Sequence, residues 1–347
     1  MASGTKFITV IMPCREEENY IGRALASILA NDYPQDCLEV LVVDGMSTDG
    51  SRKIIAGFAR DYLFVKLLDN PQKITPAALN IGIAQAKGDI IIRVDAHSTY
   101  PSDYLSSLVA WQEKTGADNV GGRWRILPGS DTPMARAIAV GLAHPFGAGK
   151  AYYRIGTSVP RWVDTVPFGC YRREIFEQVG TFDKDLVRNQ DEEFNLRLRK
   201  YGGRTLLVPD IVVDYHARES LPKLRRTYYQ FGYFKPLVAR KLGFVLEPRQ
   251  IAPSLMVLAL AVSLLLGCWL PILGGLGLAA LAAYVLADVF FSLGAGRQQG
   301  LAVIICLFLV FPTLHFSYGL GFLKGLMDFL VLGKTGGKDG QDVLLSR

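Results

Sequence analysis

The sequence predicts an α/β fold, a mostly parallel sheet with helices on both faces, followed by transmembrane helices. Three observations carry this. Short apolar runs rich in β-branched residues alternate with segments of helical spacing through the first hundred residues. Those runs are continuous rather than alternating, the mark of strands covered on both faces. Polarity then collapses: between 251 and 332 the only formal charges are Asp288, Arg297, Lys324 and Asp328.

Residues 7–12 form the first run, closed by Pro13. Residues 16–30 read as a helix with Ile21, Leu25, Ile28 and Leu29 on one face. A second strand, 38–43, ends at Asp44-Gly45; a helix over 51–60 and a strand over 64–68 follow. A helix over 76–86 stops before Gly88, and a fourth strand, 90–94, ends at Asp95. Past 116 the signals mix. Residues 136–150 are Ala- and Gly-rich and read as a loop or a mobile helix, 192–200 as a helix, and 206–208 and 211–213 as short strands.

Segments 251–270, 275–293 and 301–323 each approach the ~20 residues that cross a bilayer as helix. The organisation expected is a cytoplasmic catalytic domain (1–219), an amphipathic interfacial segment (220–249) broken at Pro236, a transmembrane region (250–332) and a tail (333–347). The uncharged turn at 271–275 belongs outside and Arg297 inside. Three full spans would export Lys324, Lys334 and Lys338, a conflict that a kinked or re-entrant third segment broken at Pro312 would resolve.

The net charge is +6, and Lys223, Arg225, Arg226, Lys235, Arg240, Lys241 and Arg249 crowd ahead of the apolar region. That placement suits anionic lipid headgroups, and no nucleic-acid-binding module accompanies it. Five scattered cysteines form no CxxC pair, so neither a zinc site nor a disulfide framework is expected and a reducing compartment is the simpler setting. No signal peptide opens the chain, so the first domain is expected to stay in the cytoplasm, at the inner (plasma) membrane.

In parallel α/β sheets ligands bind beyond the carboxyl ends of the strands. There lie Arg15 and Glu16, then Asp44, then Asp95 and His97. Asp44 directly ends an apolar strand and suits a base or ribose, whereas Asp49 serves equally as a helix cap. Asp95-Ala96-His97 presents a carboxylate and an imidazole, ligands for Mn²⁺ or Mg²⁺, which would bridge the phosphates of a nucleoside diphosphate. Asp191, in Gln190-Asp191-Glu192-Glu193, is either a helix cap or a general base for an acceptor hydroxyl. Paired-carboxylate glycoside hydrolysis competes, but leaves the nucleotide-type site unexplained. His216 is a further metal or phosphate ligand or a structural histidine. Lys150, Arg154 and Arg172 are candidates for an acceptor phosphate.

The order of these motifs resembles glycosyltransferase family 2. The match runs from about residue 8 to 232: Pro13-Cys14-Arg15-Glu16-Glu17, Val43-Asp44-Gly45 with Ser47-Thr48-Asp49-Gly50, Ala78-Leu79-Asn80 before Gly88-Asp89, Asp95-Ala96-His97 with Pro101, Gly169 to Arg173, and Gln190-Asp191. The stretch from Val163 to Gly169, Arg188-Asn189-Gln190-Asp191, and Pro312 with His315 to Gly321 resemble the membrane-bound bacterial exopolysaccharide enzymes of the succinoglycan type. The resemblance implies a GT-A fold and inverting transfer from a nucleotide-sugar donor, UDP-linked by expectation, to a lipid-linked (polyprenyl) acceptor.

In it Asp191 is the base. Pro13, Arg15, Glu16, Asp44, Lys73 and Asp95 lie near the nucleotide. Asp95 and His97 take the metal, with His216 a candidate further ligand outside the family motif. Asp164, Gly169, Arg172, Gln190 and Gln230 face the acceptor. His97 stands where the family has a second aspartate, and Gln190 where it often has glutamate. Tyr228-Tyr229-Gln230-Phe231-Gly232 echoes the QxxRW motif of processive relatives without its Arg-Trp, which argues against a polymer-extruding synthase. A polyprenyl-phosphate sugar synthase and a catalytically silent membrane scaffold are the competing readings.

Overall fold

The structure, a computed structural model, describes residues 4–243 and 247–336, and of Arg249 only the backbone. The expectations for Lys338, for the end of the tail and for the Arg249 side chain lie outside the described residues. The chain divides into two compact units, Met1–Arg125 with Gly156–Tyr215, and Ile126–Ile155 with His216–Arg347. Residues 126–155, read from the sequence as part of the catalytic domain, thus cluster with the second unit.

In chain order the first unit holds β1 (Ile8–Cys14), α1 (Ile21–Leu29), β2 (Leu38–Asp44), α2 (Ser51–Asp61), β3 (Val65–Asp69), α3 (Thr75–Gln85), β4 (Ile90–Arg93), β5 (Ser98–Thr99), α4 (Tyr104–Thr115) and most of β6 (Asn119–Leu127). After α5 (Pro133–Ala143), α6 (Pro145–Ala148) and α7 (Tyr152–Ile155) of the second unit come β7 (Arg161–Val163), β8 (Cys170–Arg172), α8 (Arg173–Val179), α9 (Gln190–Lys200) and β9 (Thr205–His216). The strand order is β3-β2-β1-β4-β8-β6-β9-β5, with β7 also pairing β9. β1 to β4 are mutually parallel. β8 runs antiparallel to β4 and β6, and β9 antiparallel to β5 and β7, so the far half makes the sheet mixed.

Alternate residues of the parallel strands enter two different cores, as the period of two in a strand requires. Ile8, Val10, Met12, Val40, Val42, Ile90 and Ile92 pack with Leu25 and Ile28 of α1, Ile55 of α2 and Leu105 and Leu108 of α4. Ile11, Val43 and Ile91 pack with Leu79 of α3, Phe176 of α8 and Phe194 of α9. Continuous apolar runs are what strands need to feed both cores.

Three local readings change. The helix expected from 16 begins only at Ile21, because Glu16 takes φ 54° and side chains of the 44–51 loop claim the preceding amides. Glu16 N–H donates to Ser47 Oγ (2.8 Å), Glu17 N–H to Ser51 Oγ (2.8 Å) and Glu18 N–H to Asp49 Oδ2 (3.1 Å). Residues 136–150 are largely helical, with Thr132 Oγ1 capping α5 by accepting from Ala135 N–H (3.2 Å). The two short strands at 206–213 are one twelve-residue strand, β9, continuous through Pro209.

The second unit adds α10 (Leu221–Leu242), α11 (Pro248–Gly267), α12 (Pro271–Gly296) and α13 (Leu301–Gly325), the last prolonged by a π-helical turn at Leu326–Val331. Gln250–Gly267, Pro271–Gly296 and Leu301–Val331 are long and apolar enough to cross a membrane, with mean hydropathies of 2.0, 2.0 and 2.1. The third is not broken at Pro312, which lies inside α13. Nor is α10 broken at Pro236. Along α10, Leu224, Gln230, Tyr233, Phe234, Lys235 and Leu237 are all buried. Gly232 packs against the Tyr318 carbonyl of α13, while Gly321 and Gly325 of α13 pack against the Tyr229 and Tyr233 carbonyls of α10. Such close backbone approach needs residues without a Cβ.

Candidate active site

The carboxyl ends of β1, β2 and β4 place the candidate residues of the first unit along one rim. The loops after β1 and β2 are laced together: Thr48 N–H donates to Glu16 Oε1 (2.8 Å) and Gly50 N–H to Glu18 Oε2 (3.1 Å), answering the three bonds already described. Asp44 is wholly buried and both its oxygens are engaged. Ser47 donates from its amide to Oδ2 (2.9 Å) and from its hydroxyl to Oδ1 (2.5 Å), and Arg52 Nη1 adds an ion pair (2.7 Å). The other arm of Arg52 reaches Asp69 at the end of β3 (2.8 Å). Pro13 sits in β1 opposite Val43, and Arg15 donates to the backbone carbonyl of Lys73 (3.3 Å), whose own φ is 61°. Pro13, Arg15, Glu16, Asp44 and Lys73 therefore belong to one connected rim.

β4 supplies the centre. Arg93, its last residue, is 7% exposed, yet its guanidinium meets two carboxylates. Nη2 donates to Asp95 Oδ1 (3.0 Å), and Nη1 pairs with Asp191 Oδ2 while also donating to the Pro167 carbonyl (2.8 Å). Burial opposes the Arg93 charge, but Asp191 and Asp95 more than restore it, raising its pKa above the ordinary value. His97 stands across from Asp95, Nε2 to Oδ2 at 4.0 Å, and its Nδ1 lies 3.2 Å from Glu17 Oε1. In the neutral ring an Nδ1–H donated to Glu17 leaves the Nε2 lone pair toward Asp95. Tyr215 of β9 packs edge-on against His97 (5.8 Å) and stacks on Trp124 (4.1 Å).

Asp191 arrives from the first turn of α9, where the helix dipole favours an anion. Burial nevertheless pushes its pKa up from 3.8 to about 6, with Arg93 holding it down and Asp95 adding to the rise. Oδ2 is taken by Arg93, whereas Oδ1 is buried with no hydrogen-bond partner among the described residues.

One turn on, Asn195 is wholly buried and ties α9 to its neighbours. It accepts from Asn119 Nδ2 (2.8 Å) and Tyr171 Oη (3.3 Å), and donates to Thr165 Oγ1 (2.8 Å) and the Val166 carbonyl (3.2 Å). Asn195→Ala strands several buried groups, so a loss of about 3 kcal/mol is expected, with slower turnover from a loosened Asp191. Thermal melts and initial rates check this, and an unchanged melting point would refute it.

The other acceptor-side candidates are dispersed. Gln190 is buried as the first residue of α9. Gly169 accepts from the Arg93 amide (2.9 Å) and has no room for a Cβ beside the Tyr171 ring. Asp164 follows β7, two residues before Val166. Arg172 pairs with Ile90, at the opposite end of β4 from Asp95, so the sheet carries it away from the rim. His216 and Gln230 belong to the second unit. So do Lys150 and Arg154, the latter donating to Tyr228 Oη (2.7 Å). The sequence reading passed over Arg93, Glu17, Arg52 and Asn195. Arg93 had a signal: it is the one charge in the run Ile90-Ile91-Ile92-Arg93-Val94.

The profile of glycosyl transferase family 2 matches residues 9–180. The succinoglycan biosynthesis protein ExoA of Rhizobium meliloti (strain 1021) is 31% identical over 326 residues, spanning 92% of this chain and 95% of that protein. The chain belongs to glycosyltransferase family 2. A second relative, the dolichyl N-acetyl-alpha-D-glucosaminyl phosphate 3-beta-D-2,3-diacetamido-2,3-dideoxy-beta-D-glucuronosyltransferase of Methanococcus voltae, is 30% identical, over 68% of this chain and 74% of its own. Among solved structures, a mannosyltransferase from Pyrobaculum calidifontis in complex with GDP-Man and Mn²⁺ superposes with a TM-score of 0.59 at 22% identity, covering 94% of this chain and 88% of that one. The fold is GT-A. This family 2 enzyme is a hexosyltransferase of polysaccharide or glycan biosynthesis, which sets the silent-scaffold reading aside.

Proposed function

We propose that the enzyme transfers a hexose, with inversion, from a nucleoside diphosphate donor, UDP-linked by preference, to a sugar carried on a polyprenyl diphosphate. The observation that carries this is the Asp191 carboxylate: one oxygen is held by Arg93 and the other has no hydrogen-bond partner among the described residues, while burial raises the pKa to about 6. In the reaction the acceptor oxygen forms a bond to the anomeric carbon as the bond from that carbon to the diphosphate oxygen breaks. The hydroxyl proton goes to Asp191 Oδ1, and the nucleoside diphosphate leaves with the bonding electrons.

A divalent cation, when bound, would neutralise the leaving diphosphate. Asp95 and His97 fit it by donor chemistry, a carboxylate and an imidazole that face each other across 4.0 Å at the end of β4. No group of three or more such ligands occurs among the described residues, so donor oxygens and water would complete the shell. Glu17 orients the imidazole in this arrangement. Glu17→Gln is expected to weaken Mn²⁺ binding by about tenfold while leaving turnover at saturating metal near the parent's. Metal titration followed by nucleotide-dependent melting measures it, and an unchanged titration curve would remove Glu17 from this role.

Two observations support a lipid-linked acceptor: the three helices long and apolar enough to span a membrane, and the relative whose name carries a dolichyl-linked sugar phosphate. We place the enzyme at the inner membrane as a multi-pass protein with its catalytic domain (1–219) in the cytoplasm, and the exposed basic residues Lys223, Arg225 and Lys241 near anionic lipid. The decisive experiment offers nucleotide sugars with Mn²⁺ and purified lipid-linked saccharides. Transfer to a polyprenyl-diphosphate saccharide is the expected result. Transfer to bare polyprenyl phosphate would favour the polyprenyl-phosphate sugar synthase instead, and no nucleotide-dependent melting shift with or without metal would overturn the donor site.

A further inference from the structure

Arg93 has no part in the steps just described, yet it touches both carboxylates on which they depend. Its guanidinium is a flat, rigid fork, and each arm meets a different acid: Nη2 meets Asp95 Oδ1 (3.0 Å) and Nη1 meets Asp191 Oδ2. The fork is itself pinned. Its Nη1 donates to the Pro167 carbonyl (2.8 Å), the Phe168 ring lies 5.7 Å beneath it, and the Arg93 amide is bonded to Gly169 (2.9 Å). Asp95 comes from the end of β4 and Asp191 from α9, nearly a hundred residues later, and no hydrogen bond among the described residues joins the two directly. Arg93 is the link.

We propose that Arg93 is a positioning residue for transfer, holding the donor-side carboxylate of Asp95 and the acceptor-side carboxylate of Asp191 at one fixed separation. A single counter-ion between the two partly exposed acids also removes the repulsion that would drive them apart. The inference rests on the reading of Asp191 as the base. It adds that the two half-sites are registered by one buried cation rather than by the backbone.

The test compares Arg93→Met and Arg93→Lys in the full-length protein, with Arg93→Gln serving if the methionine variant does not fold. Donor affinity with Mn²⁺, donor KM, kcat and the melting point are measured for each. Loss of registration of about 1 Å costs on the order of 100-fold in rate, so the methionine variant is expected to lose about that in kcat, with donor KM within about fivefold of the parent. Lysine supplies the charge without the fork and is expected to restore about tenfold of the loss. A merely structural residue would shift the melting point, KM and kcat together, with no rescue by lysine, and that result overturns the proposal. A kcat within about threefold of the parent in the methionine variant overturns it as well. Asp191→Asn separates the two layers: if that variant still transfers sugar, the assignment of the base has failed, whereas an inactive Asp191→Asn beside a fully active Arg93→Met refutes the positioning role alone.

Discussion

Replacing Asp191 by Asn is expected to lower sugar transfer by about 10³-fold or more, within the range for loss of a general base, while the fold becomes more stable at neutral pH. The two halves of this expectation come from the same burial. The Asp191 pKa rises from 3.8 to about 6 in the folded protein, first because the group is desolvated and then because Asp95 is near, against the pull of Arg93. A carboxyl whose pKa is raised on folding favours the fold while protonated. That contribution is complete below the unfolded value and is lost as pH rises through about 6.

A shift of about two units corresponds to about 3 kcal/mol. Asparagine keeps an oxygen for Arg93 and removes the charge. The variant should therefore melt above the parent at pH 7 and above, and the difference should vanish toward pH 4. Catalysis runs the other way: the base works only when ionised, so parent activity should fall as pH drops through about 6. Paired pH profiles of melting point and rate decide the matter. An Asp191→Asn protein that melts lower than the parent at neutral pH would show that the charge stabilises the fold, and the base would then lack the burial that lifts its pKa.

How much of this was legible in the sequence depends on what each residue touches. The parallel half of the sheet was open to reading because each strand feeds two cores and is therefore apolar on both faces, with Thr9 and Glu39, the polar exceptions within β1 and β2, bonded to each other (2.8 Å). The loop after β1 was misread as helix because the cause lies elsewhere in the chain: Ser47, Asp49 and Ser51 capture the amides of residues 16–18, and local spacing carries no trace of a partner thirty residues on. Asp44 was conspicuous as the polar end of an apolar strand, but only the structure shows its oxygens already spent on Ser47 and Arg52. Arg172 falls out of the acceptor group for a similar reason, since strand register and not motif order decides which end of β8 faces the rim. Arg93 differs, for a lone arginine in a buried strand demands anions beside it, and Asp95 two residues on was one of them.

The second large effect is expected in the other unit. Gly321→Val and Gly232→Val should each prevent the second unit from forming a stable α10–α13 pair. A Cβ on Gly321 would run into the Tyr229 carbonyl, and one on Gly232 into the Tyr318 carbonyl. These obstacles are backbone, so no rotamer change relieves them, and the helices must separate along their length. Separation would also draw Tyr233 Oη from Asp328 Oδ2 (2.9 Å) and Arg240 Nη1 from the Phe329 carbonyl (2.5 Å). Among the described residues Asp328 would keep its lysine partners, Lys324 (2.6 Å) and Lys334 (3.3 Å). The cost therefore exceeds the ~3 kcal/mol at the top of the usual overpacking range, because unpaired polar groups are added to strain. Gly275→Val in α12 is the control, since nothing lies within 4 Å of its added Cβ. Detergent-solubilised Gly321→Val and Gly232→Val should aggregate or melt far below the parent, and Gly275→Val should match it. If Gly321→Val melted like the control, α10 would not be held against α13 by backbone contact.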